Sequence, residues 1–404
     1  MTDAARRRRL AVHVQPRAAR ALREGSPWVF RDAVTRTSFA AASGDVAIAF
    51  DEKDRFVAAG LWDQDGEIAV RVLSHTPLTL DAALLRTRLH AAHAARAELA
   101  AQSSGYRVVF GEADALPGLV VDRYADTAVL KLYSTCWVPW LPALLDALHA
   151  ELAPRCVVLR LTRNVAARAH ALAGHVDGET LFGAPPAGEL VFVENGLRFA
   201  ADVVRGQKTG FFLDQRENRA RVAGLAAGRR VLNVCAYSGG FSVYAAHGGA
   251  KRVVSLDLSA PALAAAAANF ALNAADPQVA ACEHGTLCGD AFALLAEIAR
   301  SGERFDLVVL DPPAFAKRRD EVEGALAAYA RLVRLGLGVL AHGGVLVACS
   351  CSTRIDERQF AAVVASAARA EQRTLRVLAS TGHPADHPAT RELRYLKAIF
   401  AVAD

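Results

Sequence analysis

From residue 203 onward, short apolar runs alternate with segments of helical character, and this alternation constrains the fold more than any other feature of the chain. VLNV (231–234) leads into a glycine turn and a helix, and VVSLD (253–257) into an alanine-rich helix. DLVVLD (306–311) precedes helical residues 321–336, and VLVACSCS (345–352) precedes another helix. Strands alternating with helices of about 10–15 residues predict an α/β fold with a doubly wound, mainly parallel sheet. Ligands of such sheets sit beyond the carboxyl ends of the strands. The residues that directly follow each run are therefore the ones to read for chemistry.

The earlier part of the chain has a different pattern. GSPWVFRDAV, GDVAIAFDEKDRFVAAGLW and GEIAVRVLS are short alternating segments split by Asp, Gly and Lys turns. They predict a small β-rich, barrel-like domain over residues 1–75, with DEKD (51–54) as a hairpin tip. Residues 80–101 form an Ala/Leu/Arg helical stretch with Asp81 near its start. YRVVF, LVVDRY, TAVLKLY and CVVLRL, with a helix near 139–152, predict a separate α+β domain over 76–185. GAPPAGE (183–189) is the clearest linker, and the α/β domain occupies 190–404. With 53% hydrophobic and 22% charged residues, the 404-residue chain has material for several cores and is not globally disordered. Its net charge of +5 permits a nucleic-acid partner without requiring one. Seven cysteines without a CxxC pair argue against a disulfide framework and for a reducing, cytoplasmic compartment. No apolar run reaches the ~18 residues of a membrane span, and no metal-ligand set is assigned.

The strand ends carry the chemistry. The first turn, CAYSGGFS (235–242), has adjacent glycines that allow a tight turn and close approach to a ligand. It lacks the GxGxxG spacing of a dinucleotide clamp; Tyr237 and Gly239 are assigned to a different cofactor. Asp257 ends the next run, where a carboxylate either accepts both hydroxyls of a ribose or caps a helix. Asp290, in GDAF (289–292), either accepts an adenine amine or caps the helix after it. This ladder suits S-adenosylmethionine, which has no phosphates and needs no anion site. DPPAF (311–315) is the most specific motif. Two prolines after a buried strand cannot extend a ladder or a helix. They hold an open backbone where Asp311, Pro312, Pro313 and Phe315 meet the edge and face of a planar base; the plain alternative is a structural turn.

Cys349 and Cys351 are two apart, so in an extended strand they point to one side. Buried thiols are usually small hydrophobes. Opposite DPPAF, a thiol instead suits methylation of cytosine at carbon 5, where a thiolate first adds to carbon 6 and Asp311 supplies a proton or hydrogen bond to ring nitrogen 3. The local chemistry does not choose between the two cysteines. Upstream, GQKTGFFLDQRENR (206–219) reads either as a lid with Phe211, Phe212 and Gln215 facing the cofactor, or as the start of an amphipathic helix capped by Asp214 and running to about Ala223.

Together GQKTGFFLDQRENR, NVCAYSGGFSVYAA, LDPPAFAK and SCS resemble the RlmI-type rRNA large-subunit 5-methylcytosine methyltransferases. The resemblance extends to SPWVF, GEADALPGLVVDRY, NVAARAHALAG, ADHPAT and YLKAIFA, and so covers nearly the whole chain. It implies an N-terminal PUA domain, a central α+β domain and a class I methyltransferase domain, with Cys351 as nucleophile and Cys349 as a packing residue. It also makes the N-terminal region a docking module for rRNA. Arg6 to Arg9, Arg17, Arg20, Arg23 and Arg31 are placed to meet phosphates, with Trp28 and Phe30 stacking or filling the barrel. Residues 1–75 hold 12 Lys/Arg and 10 Asp/Glu, so a basic face there has to arise from clustering. Competing readings are an amino-group RNA methyltransferase, a non-catalytic RNA-binding protein and, with less support, a small-molecule methyltransferase. The oligomeric state is open, and a homodimer is compatible.

Overall fold

A computed structural model describes residues 9–316, 318–390 and 393–404; Arg6, Arg7, Arg8 and Lys317 lie outside the described residues. The chain forms two compact units. One runs to Val193 and takes back Ala201–Phe211, and the other holds Glu194–Ala200 and Phe212–Asp404.

The second unit is built on a seven-stranded sheet. Across it the strands run Glu283–Cys288, Arg252–Asp257, Arg230–Val234, Phe305–Leu310, Leu340–Ser350, Lys397–Ala403 and Leu375–Thr381. The first five are parallel and the last two antiparallel to their neighbours. Central strands such as Phe305–Leu310 are apolar and buried along most of their length, as expected where helices cover both faces. Their core includes Leu232, Val254, Val308 and Leu346, with Tyr329, Leu332 and Val333 from the helix Val322–Val339. The strand order reverses between Arg230–Val234 and Phe305–Leu310, and such switch points leave a crevice at the carboxyl ends. Asp311 stands at this point, its backbone N–H on the Val234 carbonyl at 3.3 Å.

The first unit holds two sheets. Six strands between Arg9 and Ser74 enclose Leu10, Val12, Ala49, Ala58 and Val70. The expected hairpin tip forms there, with the buried Asp51 carboxylate accepting from the backbone N–H groups of Lys53 and Arg55. A five-stranded sheet follows, from Gly105–Phe110 to Thr180–Gly183, covered by the helices Ala82–Ala94 and Leu141–Leu152. Asp81 caps the first of these by accepting from Leu84 N–H at 2.8 Å. The chain does not leave this unit at the Pro/Gly-rich GAPPAGE. Ser104 and Val193 exchange two hydrogen bonds beyond it. Arg160 then holds the carbonyls of Val203 and Gly206, and Lys131 that of Lys208.

Candidate active site

The turn after Arg230–Val234 is strained in a defined way. Cys235, Tyr237 and Gly239 have φ of 59°, 48° and 75°. Left-handed backbone at non-glycine residues costs about 1–3 kcal/mol and persists only where neighbours enforce it. Here Ala236 N–H donates to the Leu256 carbonyl, and Tyr237 N–H to Asp257 Oδ2 at 2.8 Å. Phe212 packs edge-on against the Tyr237 ring. A side chain at Gly239 would meet Ala266 Cβ at 2.7 Å, so the close approach this glycine permits is to the helix Ala260–Leu272.

The three acids of the ladder have separate roles. Asp257 is not a helix cap: its Oδ1 accepts from Ser259 N–H, and Ser259 caps the helix. It thereby ties the Tyr237 turn to the start of the helix Ala260–Leu272. Asp290 does cap its helix, accepting from Ala293 N–H at 3.0 Å. Asp311 Oδ1 accepts from Gln215 Nε2 at 2.9 Å. All three carboxylates bear on one thiol. Burial, then Asp311, Asp257 and Asp290, push Cys235 up to about 12. The mouth of the sheet is therefore acidic. Leu258, next to Asp257, is 74% exposed, an apolar side chain at the strand end that the sequence reading passed over.

Gln215 is oriented by a chain of amides. Its Oε1 accepts from Asn218 Nδ2 at 2.6 Å, and Asn218 Oδ1 accepts from the Thr381 hydroxyl at 2.6 Å. The Gln215 amide is thus fixed as a donor toward Asp311. Asp214, expected as a helix cap, instead accepts from the Tyr395 hydroxyl, and the helix begins at Arg216 without a side-chain cap.

On the other side of Asp311, Pro312 is buried and Pro313 exposed. Phe315 packs against Tyr329 with ring centroids 4.7 Å apart. The Tyr329 hydroxyl hydrogen-bonds Ser350 at 3.0 Å and Ser352 at 3.2 Å, so it grips both residues that flank Cys351. The strand ends at Ser350. Cys351 lies one residue past it, outside the strand that holds Cys349. Cys349 is fully buried, and burial, then Asp311, raises its thiol far above the usual range. Cys351 is half-buried, with Sγ 3.9 Å from the Pro312 carbonyl. Lys397, absent from the sequence-level candidates, donates to the carbonyls of Ser352 and Ile355 at 2.6 Å each. Burial lowers its ammonium to about 8, against the opposing pull of Cys351. Its signal was a lone lysine opening an otherwise apolar strand, YLKAIFA.

Two expected site residues lie in the first unit and are committed there. Phe211 is buried edge-on against Phe192, with its N–H on the Tyr124 hydroxyl. The aromatic that meets Tyr237 is Phe212. Arg31 gives its donors to the carbonyls of Asp63 and Gly66 and lies over the Trp62 ring, so it braces a loop where a phosphate contact was expected. Arg9, Arg17 and Arg20 are exposed, while Arg23 pairs with Asp51. Trp28 donates to Glu112, and Phe30 is half exposed.

Comparison with known proteins agrees with this geometry. Residues 12–75 match a PUA-like domain, and residues 163–401 match an S-adenosylmethionine-dependent methyltransferase. The chain is 47% identical to a ribosomal RNA large subunit methyltransferase of Deinococcus radiodurans, over 98% of each chain. It is 35% identical to ribosomal RNA large subunit methyltransferase I of Tolumonas auensis, over 96% of this chain and 98% of that one. The crystal structure of SMU.776 complexed with SAH shares the fold, with a TM-score of 0.82 at 21% identity, covering 97% of this chain and 99% of that one. Among the described residues no helix is long and apolar enough to cross a membrane, and no group of three or more His, Cys, Asp or Glu is placed to hold a metal ion.

The cofactor of this family is S-adenosylmethionine, and the residues present fit it. Carboxylates at successive strand ends can accept from the hydroxyls and amine of an adenosine group and would repel a pyrophosphate. With its PUA-like domain and its seven-stranded catalytic sheet, the chain belongs to the S-adenosylmethionine-dependent methyltransferase family that includes the ribosomal RNA large subunit methyltransferases named above.

Proposed function

We propose that this protein methylates carbon 5 of a cytosine in large-subunit ribosomal RNA, in the cytoplasm, through a covalent adduct with Cys351. The observation that carries the reading is the contrast between the two thiols. Cys349 is sealed in the core, whereas Cys351 is half-buried one residue beyond the strand, with its Sγ against the Pro312 carbonyl of the DPP loop.

Carbon 5 of cytosine is a poor nucleophile until carbon 6 carries a substituent. In this reading the Cys351 thiolate forms a bond to carbon 6 while the Asp311 carboxyl group gives ring nitrogen 3 a proton or a hydrogen bond, leaving an enamine across carbons 4 and 5. Bound S-adenosylmethionine supplies the methyl group from its sulfonium. Loss of the carbon 5 proton then allows the carbon–sulfur bond to break, which returns Cys351 as thiolate. Gln215, held by Asn218, keeps Asp311 turned to the cleft. Pro313 and the backbone of Pro312 border the base, and Phe315 backs the loop through Tyr329. Asp257 and Asp290 are assigned to the ribose and the adenine amine, Leu258 to the apolar face of the adenine, and Tyr237 and Gly239 to the turn beneath it. The PUA-like domain is assigned to docking on RNA.

Mapping 5-methylcytosine in ribosomal RNA from cells with and without the protein tests this reading. One large-subunit cytosine is expected to lose its methyl group in the deletion strain and regain it with wild type, but not with Cys351→Ala. A missing methylated adenine or guanine amine, restored by Cys351→Ala, would replace carbon 5 chemistry with amine methylation.

A further inference from the structure

Lys397 is a buried cation that the mechanism above leaves unused. It opens the strand Lys397–Ala403, which runs antiparallel to Leu340–Ser350 with Lys397 opposite Ser350. Its ammonium therefore lies at the end of the strand from which Cys351 departs. Both hydrogen-bond acceptors, the carbonyls of Ser352 and Ile355, are neutral. A neutral donor would hold two carbonyls equally well, and burying a charge is costly unless something nearby favours it. The groups whose ionised forms favour the Lys397 ammonium are Cys351, Glu357 and Asp356, Cys351 first among them. Such coupling is mutual: a thiolate that favours the ammonium is favoured by it to the same extent.

We propose that Lys397 is a positioning residue for Cys351: it anchors the 351–355 loop to the strand end and stabilises the thiolate over the thiol in the resting enzyme. This rests on the reading of Cys351 as nucleophile. Of the groups facing Cys351 from the packed elements, Asp311 works the other way, while Cys349 and Tyr329, both raised by burial, stay neutral. Asp311 stands beside the carbonyl that meets Sγ, Cys349 lies on the preceding strand, and Tyr329 lies on the helix Val322–Val339. Asp356 and Glu357 act on Lys397 from the start of the helix Glu357–Ala370. With a carboxylate on one side, the thiolate needs a cation, and Lys397 provides one.

The test follows alkylation of the Cys351 peptide by iodoacetamide as a function of pH, by mass spectrometry on the full-length protein without RNA or cofactor. The exposed Cys288 peptide serves as internal control. In wild type the Cys351 midpoint is expected below the ~8.5 of a free cysteine. In Lys397→Met it should rise by about one unit or more, with roughly tenfold slower alkylation near neutral pH, while Lys397→Arg stays close to wild type. An unchanged midpoint in folded Lys397→Met overturns the proposal. A wild-type midpoint at or above that of Cys288 overturns it whether or not the methionine variant folds. Because no RNA is present, failure here is distinct from failure of the covalent mechanism, which shows instead as a missing RNA adduct.

Discussion

Two strand ends of the same sheet each carry a half-buried cysteine, and their surroundings are opposite. Cys235 follows Arg230–Val234 and is ringed by Asp311, Asp257 and Asp290, which with burial push it up to about 12. Cys351 follows Leu340–Ser350 and has a buried ammonium anchoring its loop. On the reading proposed above, one end receives a positive group and the other keeps a negative one. Asp311 stands between them, at the switch point of the sheet. On this reading, position at a strand end does not by itself make a cysteine reactive; the charges brought in by distant segments do.

The comparison is broken most severely at the thiols. Cys351→Ala is expected to lower RNA methyl transfer by about three orders of magnitude or more, while Cys235→Ser, on the cofactor side, leaves the rate nearly unchanged. Radiolabelled methyl incorporation separates them; equal losses in both would remove the distinction. Next is the shared acid. Asp311→Asn should slow turnover by roughly 10²–10⁴-fold, because an amide cannot give ring nitrogen 3 a proton; single-turnover rates with saturating cofactor measure this. A smaller effect belongs to the cofactor side alone. Asp257→Ala should weaken S-adenosylmethionine binding by about 1–3 kcal/mol, and unchanged affinity by calorimetry would move the ribose site elsewhere. The smallest concerns the support behind Cys351. Tyr329→Phe removes the hydrogen bonds to Ser350 and Ser352, and urea denaturation should show a loss of about 1 kcal/mol.

What the sequence made legible follows from how local each signal is. The buried strands, and the strand-end positions at which Asp257, Asp290, Asp311 and Cys351 fall, could be read because a parallel strand announces itself within a few residues. Phe211 and Phe212 could not be told apart that way, since the chain passes from one compact unit to the other between them. The partners of Arg31, the carbonyls of Asp63 and Gly66, could not be read either, because they come from a distant turn. The surroundings of Lys397 could not be read because its strand inserts beside Leu340–Ser350 only after an intervening helix and strand. In each case a long-range pairing decided what a side chain was for.

The central claim is that Cys351 bonds covalently to the target base, and a target RNA carrying 5-fluorocytosine tests it directly. Fluorine cannot leave as a proton, so elimination stalls and the adduct persists on a denaturing gel. Wild type and Cys349→Ala should form it, in the presence of S-adenosylmethionine, and Cys351→Ala should not. An adduct kept in Cys351→Ala but lost in Cys349→Ala would reverse the roles of the two thiols, and methylation without any adduct would contradict the covalent mechanism itself.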